Sequence, residues 1–359
     1  TINRGIQTLA FTSPANLVIN GSMTVSLTRT NANSSYLPNL AGGGVSYSVS
    51  SSSSASASID ASTGRMTGVS VGFVVVQATV SGDNDYYPAQ ISQTIAIFYS
   101  PGAVGSGGGD MQLWLRADNA VQSSGGQVTR WNDQSQSIST TSNQATAIPS
   151  GAIVNNGATL NYNPVVSFSG AQSLAGVANF SYSISSTVVA VARNVLSGGA
   201  SGSILFTGSG MGPGMDADAM GYYIHGIGGF GGSVSNSISA LMLIGQYASS
   251  QTTAGSSLSS NGILGISGGL FGISNSVSDF RIGQGFNGDL AELIYYNRGL
   301  SPLEEQRVLS YLSIKYGLQI AGSLNSDYLA SDGGIVWSNS LRSGYTSGVI
   351  GIGADATSG

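Results

Sequence analysis

The chain has 359 residues, 41% of them hydrophobic and only 8% charged, so it can build apolar cores while its surface relies on hydroxyl and amide side chains. Eleven basic and sixteen acidic residues give a net charge of -5, which excludes a patch that neutralises a run of nucleic-acid phosphates. No cysteine occurs, which excludes disulfides, thiolate metal sites and thiol catalysis, and the apolar stretches fall far short of the ~20 residues of a membrane helix.

Short apolar alternations fill the stretch from Gln7 to Phe98, with turn residues at intervals of about ten. This spacing predicts a sandwich of antiparallel strands. The strand candidates are Val18-Ile19, Val25-Ser26-Leu27, Val45-Ser46-Tyr47-Ser48-Val49, Met66-Thr67-Gly68-Val69 and Phe73 to Val80.

The same stretch carries motifs in a fixed order. They are Gln7-Thr8-Leu9-Ala10-Phe11, Val45-Ser46-Tyr47-Ser48-Val49, Gly64-Arg65-Met66-Thr67-Gly68-Val69, Gly82-Asp83-Asn84-Asp85-Tyr86 and Gln93-Thr94-Ile95-Ala96-Ile97. In this order they resemble one repeat of the bacterial immunoglobulin-like modules that occur in tandem in large surface adhesins. The resemblance implies an immunoglobulin-like spacer domain over residues 1–99.

Residues 100–109 read SPGAVGSGGG, a composition typical of a flexible linker. We predict a new domain from Asp110, because Met111, Leu113 and Leu115 alternate on one face of a strand with Trp114 on the other. Further short strands are predicted, and their number and brevity favour a two-sheet jelly roll. They are Val165 to Phe168, Thr187 to Ala192, Ser203 to Phe206, Tyr222 to Ile224, Leu241 to Ile244, Phe280 to Gly283 and Leu290 to Tyr296.

One helix is predicted near the end of this domain. Ser301 can cap it, Pro302 suits its first position, and Glu304 completes a capping box. Leu309, Leu312 and Tyr316 then form an apolar stripe before Gly317 ends the run. We expect this helix to cover an edge or a face of the sandwich.

Four blocks in this second region occur in a recognisable order. They are Leu113-Trp114-Leu115-Arg116-Ala117-Asp118, Trp131-Asn132-Asp133-Gln134-Ser135, Asn163-Pro164-Val165-Val166-Ser167-Phe168-Ser169-Gly170, and Gly288 to Ser301 with Tyr311 to Gly317. Together they resemble a concanavalin A-like, laminin-G-type domain over residues 110–320, of the kind carried by surface proteins of the Bacteroidota. One departure is Gln136-Ser137-Ile138-Ser139, where that family commonly has Gly-Asn-Gly-Asn.

Residues 321–359 resemble the opening of the module that follows such domains, from Tyr328-Leu329-Ala330-Ser331-Asp332 to Gly353-Ala354-Asp355. We therefore expect a truncated following module and a longer natural chain. The predicted fold class is all-β: an immunoglobulin-like sandwich plus a concanavalin A-like jelly-roll sandwich with one short C-terminal helix.

The acidic residues and the single histidine do not suggest a catalytic set. Glu304 and Glu305 open the helix, where the helix dipole accounts for them. Asp289 and Glu292 are three apart on a predicted strand, so without a bulge they point to opposite faces and cannot share a glycosidase cleft. His225 has neither an acid nor a serine signature beside it, which favours a structural role. We predict that the chain is not an enzyme.

Calcium is the one cofactor that the resemblance suggests, since laminin-G-type domains often hold it at a rim. On that basis Asp289 is the best candidate ligand and Asp133 the second, while the alternative is that each aspartate caps a turn. Weaker candidates are the pair Asp83 and Asp85, and the pair Asp216 and Asp218 on a Gly-Met-rich stretch.

Two glycine-rich stretches, Gly208 to Gly214 and Gly228 to Gly232, lack the Gly-Lys-Ser/Thr end of a phosphate-binding loop. We predict that they are loops or tight backbone approaches. The tyrosines occur as adjacent pairs, Tyr222-Tyr223 and Tyr295-Tyr296, so in strands one of each pair must face outward, either as a sugar platform or as a packing partner.

These observations predict a non-enzymatic, extracellular cell-surface protein with a structural or adhesive role, able to self-assemble into a filament. Low charge leaves little repulsion between copies, so the expected partners are other copies or other surface proteins. The alternative is a carbohydrate-binding module that attaches its owner to polysaccharide. A third hypothesis makes both domains accessories of a hydrolase. Neither nucleic-acid binding nor membrane insertion is expected.

Overall fold

The part of the chain that the structure describes contains thirty β-strands and one α-helix, so the predicted all-β, sandwich-like fold class is confirmed. The chain forms two compact units, one within residues 1–109 and one within residues 110–354. Their assignment to the predicted modules stays a prediction. The computed structural model describes residues 4–13, 16–31, 44–105, 110–135, 143–148, 153–154, 157, 159–181, 185–195, 201–208, 212–226, 229–235, 239–248, 256–265, 276–321 and 327–338.

Nine strands form the first unit and pair in three sheets, with strand orders β1-β4, β2-β9-β8-β5 and β3-β7-β6. Alternate residues of β8, namely Val74, Val76 and Ala78, point into a core that also holds Tyr47 and Met66. The strands are β1 (Gln7–Phe11), β2 (Asn16–Val18), β3 (Ser22–Thr24), β4 (Leu27–Asn31), β5 (Val45–Val49), β6 (Ala57–Ile59), β7 (Arg65–Gly68), β8 (Gly72–Val80) and β9 (Ala89–Phe98). A 3-10 turn, Pro101–Ala103, follows β9.

The predicted strand at Val25-Ser26-Leu27 is wrong, because the chain changes sheets there. β3 pairs with β7, and β4 pairs with β1. Val25 lies between them, buried, and its amide donates to the carbonyl of Gly64 at 2.9 Å. Its side chain packs in the core, and its backbone is part of neither the β3–β7 pair nor the β1–β4 pair.

Twenty-one further strands belong to the second unit. They are β10 (Met111–Arg116), β11 (Val121–Ser124), β12 (Gln127–Trp131), β13 (Ala145–Ala147), β14 (Ile153–Val154), β15 (Thr159–Leu160), β16 (Asn163–Pro164), β17 (Val166–Ser169), β18 (Leu174–Ser181), β19 (Ser185–Asn194), β20 (Gly202–Thr207), β21 (Gly214–Ala217), β22 (Gly221–Gly226), β23 (Gly229–Ser235), β24 (Leu241–Ala248), β25 (Ser257–Ser260), β26 (Ile263–Leu264), β27 (Ser276–Gln284), β28 (Asn287–Tyr296), β29 (Tyr328–Leu329) and β30 (Ile335–Trp337).

Most of these strands belong to two antiparallel sheets. In one sheet β28 pairs with β19 on one edge and with β10 and β17 on the other, and β19 continues to β24, β25 and β26. The other sheet has the order β13-β18-β27-β20-β21-β22-β23. β12 connects them, because it pairs with β13 and with β14, which pairs with β17.

Alternation along the strands gives the second unit one apolar core. Leu113 and Leu115 of β10 face it together with their cross-strand partners Tyr295 and Leu293. From the other sheet, side chains including Ile224 reach the same core. The intervening residues point to the opposite side of each sheet, and on β19 and β28 many of them, such as Val189 and Ile294, are apolar and buried as well.

A register shift in β28 overturns the expectation that Asp289 and Glu292 point to opposite faces. Leu290 pairs with Ala192, but Glu292 pairs with Val191, so one extra residue stands in β28. Leu290 and Leu293, also three apart, both enter the core. Asp289 and Glu292 therefore both lie on the outer side of β28.

The predicted helix is present as α1 (Pro302–Tyr316), with the Ser301 to Glu304 capping box at its start and Gly317 in the left-handed conformation at its end. It covers an outer face, because Lys315 and Tyr316 reach Glu292 of β28. In the described part of the chain, no helix has the length and apolarity to cross a bilayer.

Several predicted features lie outside the described residues. They are the end of the linker at 106–109, the departing loop at 136–139 and most of the predicted following module, 322–326 and 339–359. The prediction of loops at both glycine-rich stretches is wrong in part, since Gly214 begins β21 and residues from Gly229 onward form β23.

Candidate functional site

An open cleft of about 570 Å³ lies on the outer face of the second unit, where β27, β20, β21 and β22 run side by side. Six of its nine described lining residues have polar side chains, and one of the six is aromatic. The polar side chains are Ser201, Ser203, Asp216, Asp218, Tyr223 and Gln284.

The register of four strands places four of these side chains in one row across the cleft. Gln284 pairs with Ser203, Ser203 with Asp216, and Asp216 with Tyr223. Side chains that are directly opposite in an antiparallel ladder share a face, so these four groups lie side by side. Tyr222, one position before Tyr223, is fully buried in the core. The expected outward and inward arrangement of this tyrosine pair is confirmed.

Backbone forms one end of the cleft. Gly202 begins β20 against the turn that holds Gly285, which has a positive φ of 71°. A Cβ at Gly202 would lie 2.2 Å from the carbonyl carbon of Gly285 and from the nitrogen of Phe286. The close approach therefore requires glycine at position 202.

Asp218 is held at the opposite end by its own turn. Its Oδ1 accepts from the amides of Met220 at 2.7 Å and Gly221 at 3.0 Å, as the turn-capping alternative predicts. Burial, together with the charge of Asp218 and a hydrogen bond to it, raises the pKa of Tyr223. The phenol therefore keeps its proton near neutral pH and stays a hydrogen-bond group of the cleft.

Asp216 is paired with the only histidine of the chain. Nδ1 of His225 lies 2.6 Å from Oδ2 of Asp216, and the histidine is 8% exposed. Because a carboxylate only accepts, the imidazole donates from Nδ1. Oδ1 of Asp216 is buried and has no hydrogen-bond partner among the described residues. The residues next to His225 along the chain gave no sign of this acid, which lies nine residues earlier.

Gly214 provides the space in which the imidazole lies. Gly214 and His225 are directly opposite in the β21–β22 ladder. A Cβ at Gly214 would lie 2.0 Å from Cε1 and from Nε2 of His225. The ring thus lies over a position that only glycine can occupy, and this placement brings Nδ1 to Asp216.

The strand order does not complete a serine hydrolase triad. A triad places the imidazole between the acid and the nucleophile. Here Ser203 lies on β20 and His225 on β22, so the strand that carries Asp216 stands between the hydroxyl and the imidazole. The pair orients a carboxylate at a cleft wall without presenting a nucleophile from the Ser203 position.

Asp133, the second calcium candidate, caps a turn. Its Oδ1 accepts from the amides of Trp114 and Ser135, both at 2.8 Å, and its Oδ2 accepts from the Ser135 hydroxyl at 2.7 Å. Burial raises the pKa of Asp133 to about 6, although these hydrogen bonds oppose the rise. Both carboxylate oxygens already have protein donors.

Asp289, the first calcium candidate, forms an ion pair. The guanidinium of Arg193 donates to its Oδ2, from Nε at 2.8 Å, and the Ser167 hydroxyl donates to its Oδ1 at 2.7 Å. No group of three or more His, Asp or Glu side chains suited to a metal occurs within the described ranges. Calcium at Asp289 and Asp133 stays a prediction.

The weaker candidates show turn capping as well. Asp83 Oδ1 accepts from the amides of Asp85 at 2.8 Å and Tyr86 at 2.7 Å. Tyr295 and Tyr296 are both fully buried, so of the two alternatives for this pair the structure shows packing and no sugar platform. Strand alternation does send them to opposite sides of β28, but both sides are covered there.

A buried polar network around Glu292 connects α1 to the sandwich. Oε1 of Glu292 accepts from Nε1 of Trp114 at 2.6 Å. Oε2 accepts from Nζ of Lys315 at 2.8 Å and from the Tyr316 hydroxyl at 2.7 Å. Lys315 also reaches Asp118 at 3.3 Å. Glu292 is 1% exposed, so this network holds the helix in place and offers no access to a substrate.

Comparisons with known proteins cover only parts of this chain. A family model described as a domain of unknown function, DUF8202, matches residues 304–359, which include most of α1 and none of the cleft. No curated protein matches the chain.

Among solved structures, the chain is similar to the botulinum neurotoxin DC binding domain in complex with SialylT, with a TM-score of 0.41 and 11% identity over 57% of this chain and 51% of that chain. It is also similar to Trypanosoma rangeli sialidase, with a TM-score of 0.38 and 15% identity over 67% of this chain and 42% of that chain. The chain thus spans about half or less of these proteins, and likenesses this distant support no inference about ligand or activity.

Proposed function

We propose that this chain is a non-enzymatic protein of the cell exterior that binds glycans through the cleft of its second unit. The observation that carries the proposal is the row Gln284, Ser203, Asp216 and Tyr223 at the floor of that cleft. The extracellular location is supported by the resemblance of the sequence to surface modules.

The chemistry of the row suits sugars. Each sugar hydroxyl both donates and accepts, and carboxylates, an amide and serine hydroxyls offer complementary groups in fixed positions. The ring of Tyr223 adds an apolar surface whose hydroxyl keeps its proton. A volume of about 570 Å³ lies within the usual range for ligand clefts.

The same geometry favours binding over turnover. Asp216 is engaged by His225, and Asp218 is engaged by two backbone amides. Ser203 lies on β20 and the imidazole on β22, so β21 separates the serine hydroxyl from the base that would have to activate it. The cleft therefore has groups that orient a ligand, and its described residues do not place a serine for nucleophilic attack through His225.

A glycan array with the purified chain tests the proposal. Binding of a defined set of glycans is expected, and Tyr223→Ala is expected to weaken it by about tenfold or more. Tyr162→Ala is the matched control, because Tyr162 is 95% exposed and is not part of the cleft. The proposal would be contradicted by no binding to any glycan on the array, by loss of binding in Tyr162→Ala alone, or by release of cleaved sugar.

A second proposed role is self-assembly as a surface adhesin or filament. The supporting observation is the low charge of the chain, 8% of residues with a net charge of -5, which leaves little repulsion between copies. Other copies of the chain are the proposed partners. Solution scattering over a range of concentrations tests this role, and compact monomers throughout would contradict it.

A further inference from the structure

We infer that the cleft selects neutral or amine-bearing glycans and rejects glycans that carry carboxylate, sulfate or phosphate groups. This inference rests on the proposed glycan binding and adds the chemical class of the ligand. It follows from the charges of the described lining, which has two acidic side chains and no basic one.

The charged side chains of the lining are both acidic. Asp216 and Asp218 lie on β21 and directly after it, and their carboxylates flank the ring of Tyr223. Among the described residues, the lining contains no lysine or arginine. An anionic sugar here would place like charges together in a partly desolvated site, where their repulsion is weakly screened.

The basic residues near the cleft do not offset these carboxylates. Arg281 is the only arginine or lysine in β20 to β23 and β27, and it lies three positions before Gln284, outside the lining. His225 is 8% exposed and directs Nδ1 to Asp216, so its proton is already used by that carboxylate. Recognition of a carboxylate or sulfate usually relies on charged donors such as a guanidinium fork, and the described lining of this cleft contains no charged donor.

The remaining polar groups match uncharged ligands. The Gln284 amide and the Ser201 and Ser203 hydroxyls can donate to ring and hydroxyl oxygens. The Asp218 carboxylate can accept from sugar hydroxyls or from the ammonium of an amino sugar. Uncharged donors beside two acidic side chains assign neutral and amine-bearing glycans to the cleft.

Titration of matched glycans tests the inference. A neutral oligosaccharide, its amino-sugar analogue and the same oligosaccharide ended by sialic or glucuronic acid are titrated into the full chain. The neutral and amino forms are expected to bind. The affinity of the acidic form is expected to be lower by about tenfold or more, and this difference in affinity should decrease as salt rises towards about 0.5 M.

Asp218→Asn provides a second measurement. Asparagine keeps the Oδ1 acceptor for the Met220 and Gly221 amides but removes the charge, so acidic glycans should gain at least threefold in affinity relative to neutral ones, or roughly 0.6 kcal/mol. Asp332→Asn is the matched control, since Asp332 also caps a turn, by accepting from the Gly334 amide at 2.8 Å, and lies outside the cleft.

The outcomes separate the two proposals. Equal or tighter binding of the acidic glycan, or no change of preference in Asp218→Asn, overturns the charge selection while leaving glycan binding intact. Absence of binding for all glycans overturns the proposed function and this inference with it. Unchanged tryptophan fluorescence of the variants shows that each one is folded.

Discussion

Acidic side chains of the second unit have different surroundings, and these surroundings decide what each can do. Asp133 accepts only from uncharged donors, whereas Asp289 faces Arg193 and Glu292 faces Lys315. A carboxylate among neutral donors pays the full loss of hydration, while an ion pair offsets part of it. Asp133 is therefore the residue whose ionisation should be visible in stability.

Replacing Asp133 by asparagine should change the pH dependence of unfolding. Burial raises its pKa to about 6 in the folded chain from an ordinary 3.8, so the folded state binds the proton more tightly. Stability then falls as pH rises from about 4 to about 6, by up to about 3 kcal/mol. Asp133→Asn keeps the Oδ1 acceptor and should lose this slope, gaining stability at neutral pH. Urea unfolding followed by tryptophan fluorescence at both ends of that range measures it.

Asp133→Ala is the control for the turn itself. It removes the charge as Asp133→Asn does, but it also removes the acceptor for the Trp114 and Ser135 amides, so it should be less stable than Asp133→Asn at every pH, by about 1 to 3 kcal/mol. If Asp133→Asn shows the same slope as the unchanged chain, then Asp133 ionises normally and burial does not govern its pKa.

Gly214→Ala should disrupt the cleft through His225. The added Cβ would lie 2.0 Å from the imidazole, so the ring must move and Asp216 loses its partner. Glycan affinity should drop about tenfold or more, with a stability loss of about 1 to 3 kcal/mol from overpacking. Gly44→Ala is the matched control, because a Cβ there meets nothing within 4 Å. Titration and urea unfolding measure both effects, and undiminished affinity in Gly214→Ala would contradict this role.

The pairing of His225 with Asp216 could be predicted from the sequence only in part. Asp218 to Gly221 form the turn of a hairpin, and counting back from it places Gly214 opposite His225 and Asp216 on the next step. The register follows once both strands are known. The sequence predicts the strand at Tyr222 to Ile224, but the glycine-rich composition before it favours a loop at Gly214, so the partner strand β21 is not predicted.

At the level of elements, the helix was predictable and the bulge was not. Helix α1 has local signals at both ends, the Ser301 capping box and Gly317, and the structure contains both. The extra residue in β28 depends on which strands pair with it, since Leu290 and Glu292 face adjacent positions of β19. The partner strand cannot be predicted from a single sequence. Only the structure therefore shows that Asp289 and Glu292 both lie on the outer side of β28.

The network that anchors α1 should behave as a coupled unit. Lys315→Met leaves Glu292 buried without its cation and should cost about 3 kcal/mol. Glu292→Gln keeps the acceptor for Trp114 and should cost less. The double variant should be less destabilised than the sum of the two, by at least about 1 kcal/mol. Urea unfolding of all four proteins measures the coupling, and additive effects would show that the ion pair contributes nothing.

Across the whole chain, the scarcity of charge is what connects sequence, fold and the proposed surface role. The exposed positions of the strands are filled largely by serine and threonine, as in β5, where Ser46 and Ser48 are exposed. β5 is an edge strand of its sheet among the described residues, and it carries no charge. Edge strands without charge or proline are open to pairing with another chain.

Self-association should therefore depend on protein concentration and hardly on salt. Sedimentation velocity is expected to show association that changes by no more than about threefold between low ionic strength and about 0.5 M, because few charges are present to be screened. Ser46→Lys with Ser48→Lys should weaken it by placing charges on the edge of β5, most strongly at low salt. Thr79→Lys is the control, since Thr79 is exposed on β8, which pairs with a strand on each side. A steep salt dependence of the unchanged chain would show that its few charges, and not the hydroxyl surface, drive the contact.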